Sequence, residues 1–443
     1  MRQVRFQHGS TNATRPKETA DYELIDTSCL NEVLSVDAER RVAIAEANVP
    51  MDVLLRETLK YNLVPKVVPE FPGITVGGAV QGAALESSSF RYGQFDATCL
   101  EYGVITADGR VLRCSKDENE DLYFGVVGSY GSLCLMTSVT IELIEAKPYV
   151  ELEYIPIWSF REMVTGCRDL VGDSVDFVDG IMFSRDEGVL VVGRLASTAG
   201  SPRQTFCGRA DPWFHNHARG LAKRASSYRE AVPLVDYLFR YDRGAFWMGE
   251  YVFDILRLPR WDISRYVFDP LFKTRNLYRG LHLSNYFQEF FVQDIYFPVD
   301  SAESYLEYVA RELEIYPIWV CPIAPGDPRS VLSPACLDTD LIINVGLWGR
   351  SHRFENPREK NREVETEARR LEGRKMLYSQ QYYSESEFWG IYDRDQYDAL
   401  RRKYGGMARF PDVHEKTVVR TACAPTPVRG FFKFYWSLLT QGL

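Results

Sequence analysis

Short runs of alternating apolar and polar residues open the chain. Val4 and Phe6 alternate in QVRFQ ahead of a turn at His8-Gly9-Ser10, which predicts a strand. In RVAIAEANV, Val42 and Ile44 share one face of a second strand, which stops at Pro50, a favoured first residue of a helix. Met51, Leu54, Leu55, Thr58 and Leu59 then recur at helical spacing. Asp108-Gly109 lies between two β-rich runs and suits a two-residue hairpin turn with positive φ. Residues 117–123 predict a short helix, and Val139, Ile141 and Leu143 alternate along a half-buried strand. This part of the chain predicts an α+β unit with a mixed sheet.

From residue 149 the pattern changes: aromatic runs alternate with charged helical stretches and glycine becomes sparse. Asp300 and Glu303 have capping-box spacing ahead of Tyr305, Val309 and Leu313, an amphipathic helix. DLIINVGLW, residues 340–348, predicts a buried strand, and NREVETEARRLEGRK an exposed, solvated helix. No internal repeat and no long Gly/Ser linker interrupts the chain, so its domains are expected to pack closely.

The length of 443 residues suggests two or three domains. A net charge of -9 argues against nucleic-acid binding, which needs a basic surface. The 13% aromatic content suggests a thick core or a roomy apolar site. Nine cysteines are scattered without a CxxC pair, a pattern of free thiols in a reducing compartment. Neither they nor the six histidines have zinc-ligand spacing, so no metal is expected. No apolar run is long enough for a membrane-spanning helix, and the opening residues lack the apolar stretch of a secretory signal. The aromatic, basic VRGFFKFYWSLL, residues 428–439, has two readings: a tail packed on the domain, or a contact with a membrane surface.

The most unusual stretch is FPGITVGGAVQGAALESSSFRYG, residues 71–93, with Gly73, Gly77, Gly78, Gly82 and Gly93. It reads as loop more than regular element. Glycine lets backbone N–H groups approach an anion, so a phosphate cradle and a merely irregular loop are both open readings. A P-loop is excluded because Ala83-Ala84 stand where Lys and Ser/Thr are needed. No GxGxxG opens a helix here, which excludes a Rossmann turn. Ser129 in VVGSYG has Val127 where a hydrolase elbow needs glycine. A second small-residue turn, His8-Gly9-Ser10-Thr11-Asn12, follows the first strand and offers N–H groups and hydroxyls suited to a pyrophosphate.

The order of these motifs, with VITADGRVLRC and ENEDLYFGVVGSYGSL after them, resembles the FAD-binding domain of the vanillyl-alcohol-oxidase type. More closely, VVPEFPGITVGGAVQGAALESSSFRYGQF, YPIWVCP, MLYSQQYYSESEFWGIYD and ALRRKYGGMARFPDVHEK resemble the Δ24-sterol reductase (Diminuto-like) family. The likeness covers roughly residues 1–418 and rests on separated motifs in the same order. It implies a two-subdomain FAD-binding domain over residues 1–148, lacking the family's usual strand–helix unit ahead of the phosphate turn. A cap or substrate domain of α+β type would span 149–398. A segment at 399–420 would return to the FAD domain, and 421–443 would form a tail.

The resemblance further implies non-covalent FAD in an extended form. The turn His8, Gly9, Ser10, Thr11 and Asn12 would hold the pyrophosphate. Thr75, Val76, Gly77, Gly78, Ala79, Gly82, Glu86, Ser87, Ser88 and Ser89 would line flavin and diphosphate. Tyr92 and Gly93 would close that wall, and Gly131, Ser132 and Leu133 would lie at the adenine end. Cap aromatics would cover the isoalloxazine. Cys134 stands where the family's pattern has glycine, and a side chain there is expected to crowd the cofactor. A protein that is cytoplasmic or peripheral to the endoplasmic reticulum membrane is the corresponding expectation.

The activity implied is reduction of a carbon–carbon double bond in a lipophilic sterol side chain, with NAD(P)H as donor. An FAD-linked oxidase tailoring a terpenoid or polyketide, and a non-catalytic lipid-binding relative, are the alternatives. Alkene reduction needs hydride from the flavin and a proton from an acid. Tyr382, Tyr383, Asp294 and Glu387 are the acids or positioning groups considered, each weighed against a structural role. Arg243 meets a nicotinamide phosphate or a substrate oxygen or, more simply, forms an ion pair with Asp242 or another acid, and His352 between two arginines reads as exposed.

Overall fold

The computed structural model describes residues 2–7, 12–15, 21–172, 174–200, 202–255, 257, 259–285, 289–351, 353 and 356–420. Two antiparallel sheets dominate the α+β fold. The first orders its strands Val33–Asp37, Val42–Glu46, Cys134–Glu145, Cys99–Thr106 and Val111–Ser115, with Leu63–Pro65 paired to Cys134–Glu145. The second runs Tyr228–Pro233, Tyr149–Ile157, Gly188–Ala196, Phe177–Met182, Ile318–Ile323, Ile342–Gly349, Phe291–Pro298 and Arg374–Lys375. A separate parallel pair joins Val4–Gln7 to Glu23–Asp26.

The period of two along the second sheet decides what each face meets. Phe291, Ile295, Phe297, Ile318, Val320, Ile343, Val345 and Leu347 form a core under the helices Phe160–Leu170, Val299–Tyr308 and Pro357–Arg370. The alternate residues Val292, Tyr296, Trp319, Cys321 and Trp348 belong to the core shared with the first sheet. Gly346 pairs with Asp294 on one side and Trp319 on the other. A Cβ there would come within 2.5 Å of the Trp348 ring and 2.8 Å of Asp294 Oδ1. Its bare backbone is what lets those two side chains share one face.

Local differences from the sequence pattern have physical causes. Along Val42–Glu46 the face turned into the core carries Ala43 and Ala45, while Ile44 is half-buried. The 108–109 hairpin has a three-residue loop: the Thr106 N–H bonds the Arg110 carbonyl, and only Gly109 has positive φ, at 85°. The short helix after it is Glu120–Gly125, three residues later than its polar pattern suggests. Residues within 71–93 form a helix, Val76–Gln81, rather than plain loop, because the Thr75 hydroxyl accepts from the Gly78 N–H at 3.2 Å and caps it.

Helix Val299–Tyr308 forms without a capping box, since Asp300 already lies inside the first turn. Asp300 and Glu303 instead bridge to Arg168 and Arg161 of the neighbouring helix at 2.6 and 3.3 Å. Helix Pro357–Arg370 is not wholly solvated: Asn361, Val364, Glu365 and Ala368 are buried, and Glu365 meets buried Lys375 at 3.0 Å. Among the described residues no helix is long and apolar enough to cross a membrane.

Candidate functional site

A cavity of about 480 Å³ lies between the strand Val4–Gln7, the glycine-bearing segment around helix Val76–Gln81, and the Trp319–Trp348 face of the second sheet. Its chemistry is split between two ends.

The cationic end carries Arg5, Arg15 and Lys416, with Gln7, Asn12, Thr27, Asn48 and Gln81 beside them. Lys416 Nζ donates to the Gly131 carbonyl at 3.3 Å and sits 5.9 Å over the Phe6 ring. The Arg15 guanidinium lies 4.8 Å over Tyr130 and donates to the Leu377 carbonyl. Burial pushes Lys416 down to about 7, and the charges of Arg5 and Arg15 add to that. Burial likewise lowers Arg15 to about 10. Among the described residues, no carboxylate forms an ion pair with Arg15 or Lys416. Clustered cations in a partly dehydrated cavity are costly unless an anion joins them. This end therefore fits a diphosphate.

The other end is aromatic and acidic: Phe71, Tyr278, Trp319, Trp348, Met376 and Tyr378, with Glu70 and Asp294. Phe246 stacks on Trp348 with ring centroids 4.1 Å apart, and Tyr241 stacks on Phe246 at 4.0 Å. Trp247 Nε1 donates to the Trp348 carbonyl at 2.6 Å, so the tryptophan is held by rings and by backbone. Asp294 accepts from the Tyr378 hydroxyl at 2.6 Å and from Asn344 Nδ2 at 2.7 Å. Trp348 Nε1 donates in turn to the Tyr378 hydroxyl at 3.2 Å. Burial pushes Asp294 up to about 6, against the pull of those two bonds. Glu70 is raised well above the usual carboxylate range, first by burial, then by the neighbouring Glu86 charge, with Asp294 adding to it.

Between the ends, Thr75, Gly77, Gly78, Gly82 and Gly131 line the wall, and Asn12 lies at the cationic end. The wall offers shape rather than amide donors. The Val76 N–H bonds the Val49 carbonyl, Gly77 that of Ala47, and Ala79 that of Thr75. Gly77 is bare because a Cβ would come within 2.8 Å of the Ala47 Cβ. Val76 and Ala79 are core residues.

The serine run faces elsewhere. Ser87 bonds the Tyr237 hydroxyl at 3.0 Å, Ser88 donates to the Lys66 carbonyl at 2.9 Å, and Ser89 accepts from the Glu86 N–H at 3.0 Å. Glu86 is fully buried, 2.7 Å from Arg240, which also binds Asp179 at 2.8 Å. Trp319 Nε1 and the Tyr241 hydroxyl both donate to that Asp179, so the buried ion cluster backs the cavity's aromatic wall. The ring of Tyr92 lies under Lys66 and Arg91. Gly93 has φ 74° and ends a short helix. Ser132 accepts from the Tyr397 hydroxyl at 2.8 Å, and Leu133 is core. Cys134 is also core and does not line the cavity, whereas the next two residues, Leu135 and Met136, do. The Cys134 thiol is packed in the core at 1% exposure, outside the cavity lining.

Of the acids considered from sequence, Asp294 lines the cavity, while Tyr382 and Tyr383 do not. Tyr382 donates to Gln380 Oε1 at 2.6 Å, and the buried Tyr383 hydroxyl has no hydrogen-bond partner among the described residues. Glu387 closes a capping box with Ser384 and is held down to about 2 by Arg362. Arg243 pairs with buried Asp269 at 2.6 Å. His8, Gly9, Ser10, Thr11 and His352, and residues 421–443, lie outside the described residues. Glu70, Arg15, Tyr378 and Lys416 were not found from sequence: each is a single polar residue in a loop or helix, without a motif of its own.

Residues 2–115 match the family model described as FAD binding domain. A flavoprotein fold is thus defined by domain and cavity together. The chain is 32% identical over 400 residues to human Delta(24)-sterol reductase, covering 87% of this chain and 76% of the relative. It is 27% identical over 416 residues to the Delta(24)-sterol reductase homolog dhcr-24 of Caenorhabditis elegans, covering 88% and 78%. With Delta(24)-sterol reductase of Arabidopsis thaliana it shares 28% over 433 residues, covering 89% and 76%. The chain belongs to the Delta(24)-sterol reductase family.

Proposed function

We propose that this protein is an FAD-dependent oxidoreductase that reduces a carbon–carbon double bond in a sterol side chain, with NAD(P)H as donor. The observation that carries the reading is the split cavity: a cationic end where, among the described residues, no carboxylate pairs with Arg15 or Lys416, joined by a bare glycine wall to an aromatic, acid-bearing end. Membership of the reductase family and the FAD binding domain support it.

In this reading Arg5, Arg15 and Lys416 hold the diphosphate, with Asn12 and Gln81 as neutral partners. Thr75, Gly77, Gly78, Gly82 and Gly131 form the wall along the extended cofactor. Trp319, Trp348, Tyr278 and Met376 bound the reacting end, exclude water and accept an apolar side chain. The flavin, when bound, supplies the two-electron chemistry between nicotinamide and alkene. The first sheet and the returning segment 399–420 serve the cofactor, and the second sheet serves the substrate. Lys403 and Tyr404, each 2.7 Å from Asp121, tie that segment to the first unit. A sterol is membrane-borne, so peripheral membrane contact is part of the reading.

The test is a visible spectrum of protein expressed with ample flavin, taken anaerobically before and after NADPH. Flavin bands that bleach with NADPH and return on adding an unsaturated sterol are expected. Protein without flavin absorbance would sink the reading, and bleaching only by a saturated substrate would reverse its direction.

A further inference from the structure

The cavity holds two carboxyl groups in unlike surroundings. Both Asp294 oxygens are occupied as acceptors, one by Tyr378 and one by Asn344. Glu70, by contrast, lines the same cavity, and its carboxyl is bonded by its own backbone N–H alone among the described residues. It follows Pro69 and precedes Phe71, whose ring packs edge-on against Tyr278 at 6.1 Å and Phe246 at 5.6 Å. Glu70 is thus the carboxyl free to meet a ligand at the aromatic end.

We propose that Glu70 is the general acid of the alkene reduction, and that Asp294, anchored by Tyr378 and Asn344, is the second, fixed carboxyl of the same cavity. The proposal rests on the reductase reading above.

The charged groups facing Glu70 are Asp294 from the second sheet, Glu86 from the segment behind it, and Arg240; the Tyr278 hydroxyl comes from helix Thr274–Ser284. Arg240 already serves Glu86 and Asp179 at 2.7 and 2.8 Å. The local field is therefore negative, and burial acts in the same direction, so the Glu70 carboxyl holds its proton at a pH where an ordinary glutamate is ionised. Two carboxyls pushed to unlike states by their surroundings are the usual arrangement of an acid beside a charged partner.

The step balances as follows. With reduced flavin bound, the Glu70 O–H proton would go to one alkene carbon and a hydride equivalent supplied by the flavin to the other. The π bond is lost, two C–H bonds form, and Glu70 is left as carboxylate. Water reaching the cavity returns its proton, and a nicotinamide nucleotide restores the flavin's two electrons. Tyr278 and Trp348 line the same cavity, and aromatic rings there stabilise positive charge developing on a branched carbon.

The experiment uses flavin-loaded protein reduced anaerobically with dithionite, then mixed with a sterol bearing a trisubstituted side-chain double bond. Flavin reoxidation is followed by absorbance across pH 6–10. Wild-type reoxidation is expected to slow as pH rises through the Glu70 titration. E70Q should keep its flavin and its bleaching by NADPH, yet be reoxidised by the sterol at least ~100-fold more slowly, without the pH break. E70Q reoxidised within ~3-fold of wild type would overturn the proposal. If E70Q loses flavin, E70D decides: a displaced pH break supports the acid role and an unmoved break overturns it. Wild-type protein that the sterol does not reoxidise refutes the reductase reading itself, a result distinct from one in which only the variants behave unexpectedly.

Discussion

Tyr378 donates its hydroxyl hydrogen to Asp294 across 2.6 Å, joining residues 84 positions apart at the aromatic end of the cavity. The bond favours the carboxylate, while burial favours the acid, and burial wins by enough to place Asp294 at about 6 instead of 3.8. Because the folded value is raised, stability associated with Asp294 is present below about 3.8 and is lost as pH rises to about 6. Y378F removes one bond to the charged form, so the loss should extend to higher pH. D294N should abolish it. Thermal midpoints measured between pH 4 and 8 for the three proteins check this. A Y378F profile that superimposes on wild type would show that the bond does not control the carboxyl.

Lys416 titrates in the opposite sense. Its folded value, about 7, lies below the ordinary 10.5, so the native state binds fewer protons than the unfolded chain between those values. Stability from this group should rise with pH across that window. An anion at the cationic end would restore the proton. Flavin or inorganic pyrophosphate binding at pH 8 should therefore take up close to one proton, measured by calorimetry in two buffers of different ionisation enthalpy. K416A should weaken flavin binding by about 10- to 100-fold, the range for a lost hydrogen bond to a charged group. Unchanged affinity together with no proton uptake would place the diphosphate elsewhere.

Arg240 ties three chain regions together, with Glu86 before the first sheet's central strands and Asp179 on the second sheet. R240M leaves both carboxylates buried without their cation. Breaking such a cluster from one side costs about 3–5 kcal/mol, mostly from the charges left behind. Urea unfolding should register that loss. The triple variant R240M/E86Q/D179N should recover a good part of it, because no unpaired charge then remains. A single variant as stable as wild type would mean that water reaches the cluster.

Much of the fold was legible because strand and helix periods are local. Val139, Ile141 and Leu143 are buried on one strand, and residues 342–349 form a fully buried one. At two places a local pattern takes tertiary partners of its own. Asp300 and Glu303 have capping spacing but meet arginines of the next helix. The serines at 87–89 suggest a ligand wall but satisfy the backbone and Tyr237. The cationic and acidic ends of the cavity were not legible for a different reason. Arg15 meets Lys416, and Glu70 meets Asp294, only after both sheets are formed and the segment after residue 399 has returned. No spacing in the chain encodes those pairs, and the family likeness pointed to the glycines between them.

Cys134 offers a clean separation of sequence pattern from geometry. Its place in the motif suggests a side chain pressing on the cofactor, yet it is 1% exposed and packs in the core, while Leu135 faces the cavity. Burial holds its thiol well above the ordinary range, with Cys114 adding to that, so it is inert as a nucleophile. Cys134→Ala should leave flavin affinity within about 2-fold of wild type and cost about 1 kcal/mol of stability, the scale of a small core truncation. Cys134→Gly should cost about 0.5–1 kcal/mol more, from added backbone freedom within a strand. Flavin titration and urea unfolding of the two variants separate the possibilities. Tighter flavin binding by tenfold in Cys134→Gly would mean that the thiol does reach the cofactor.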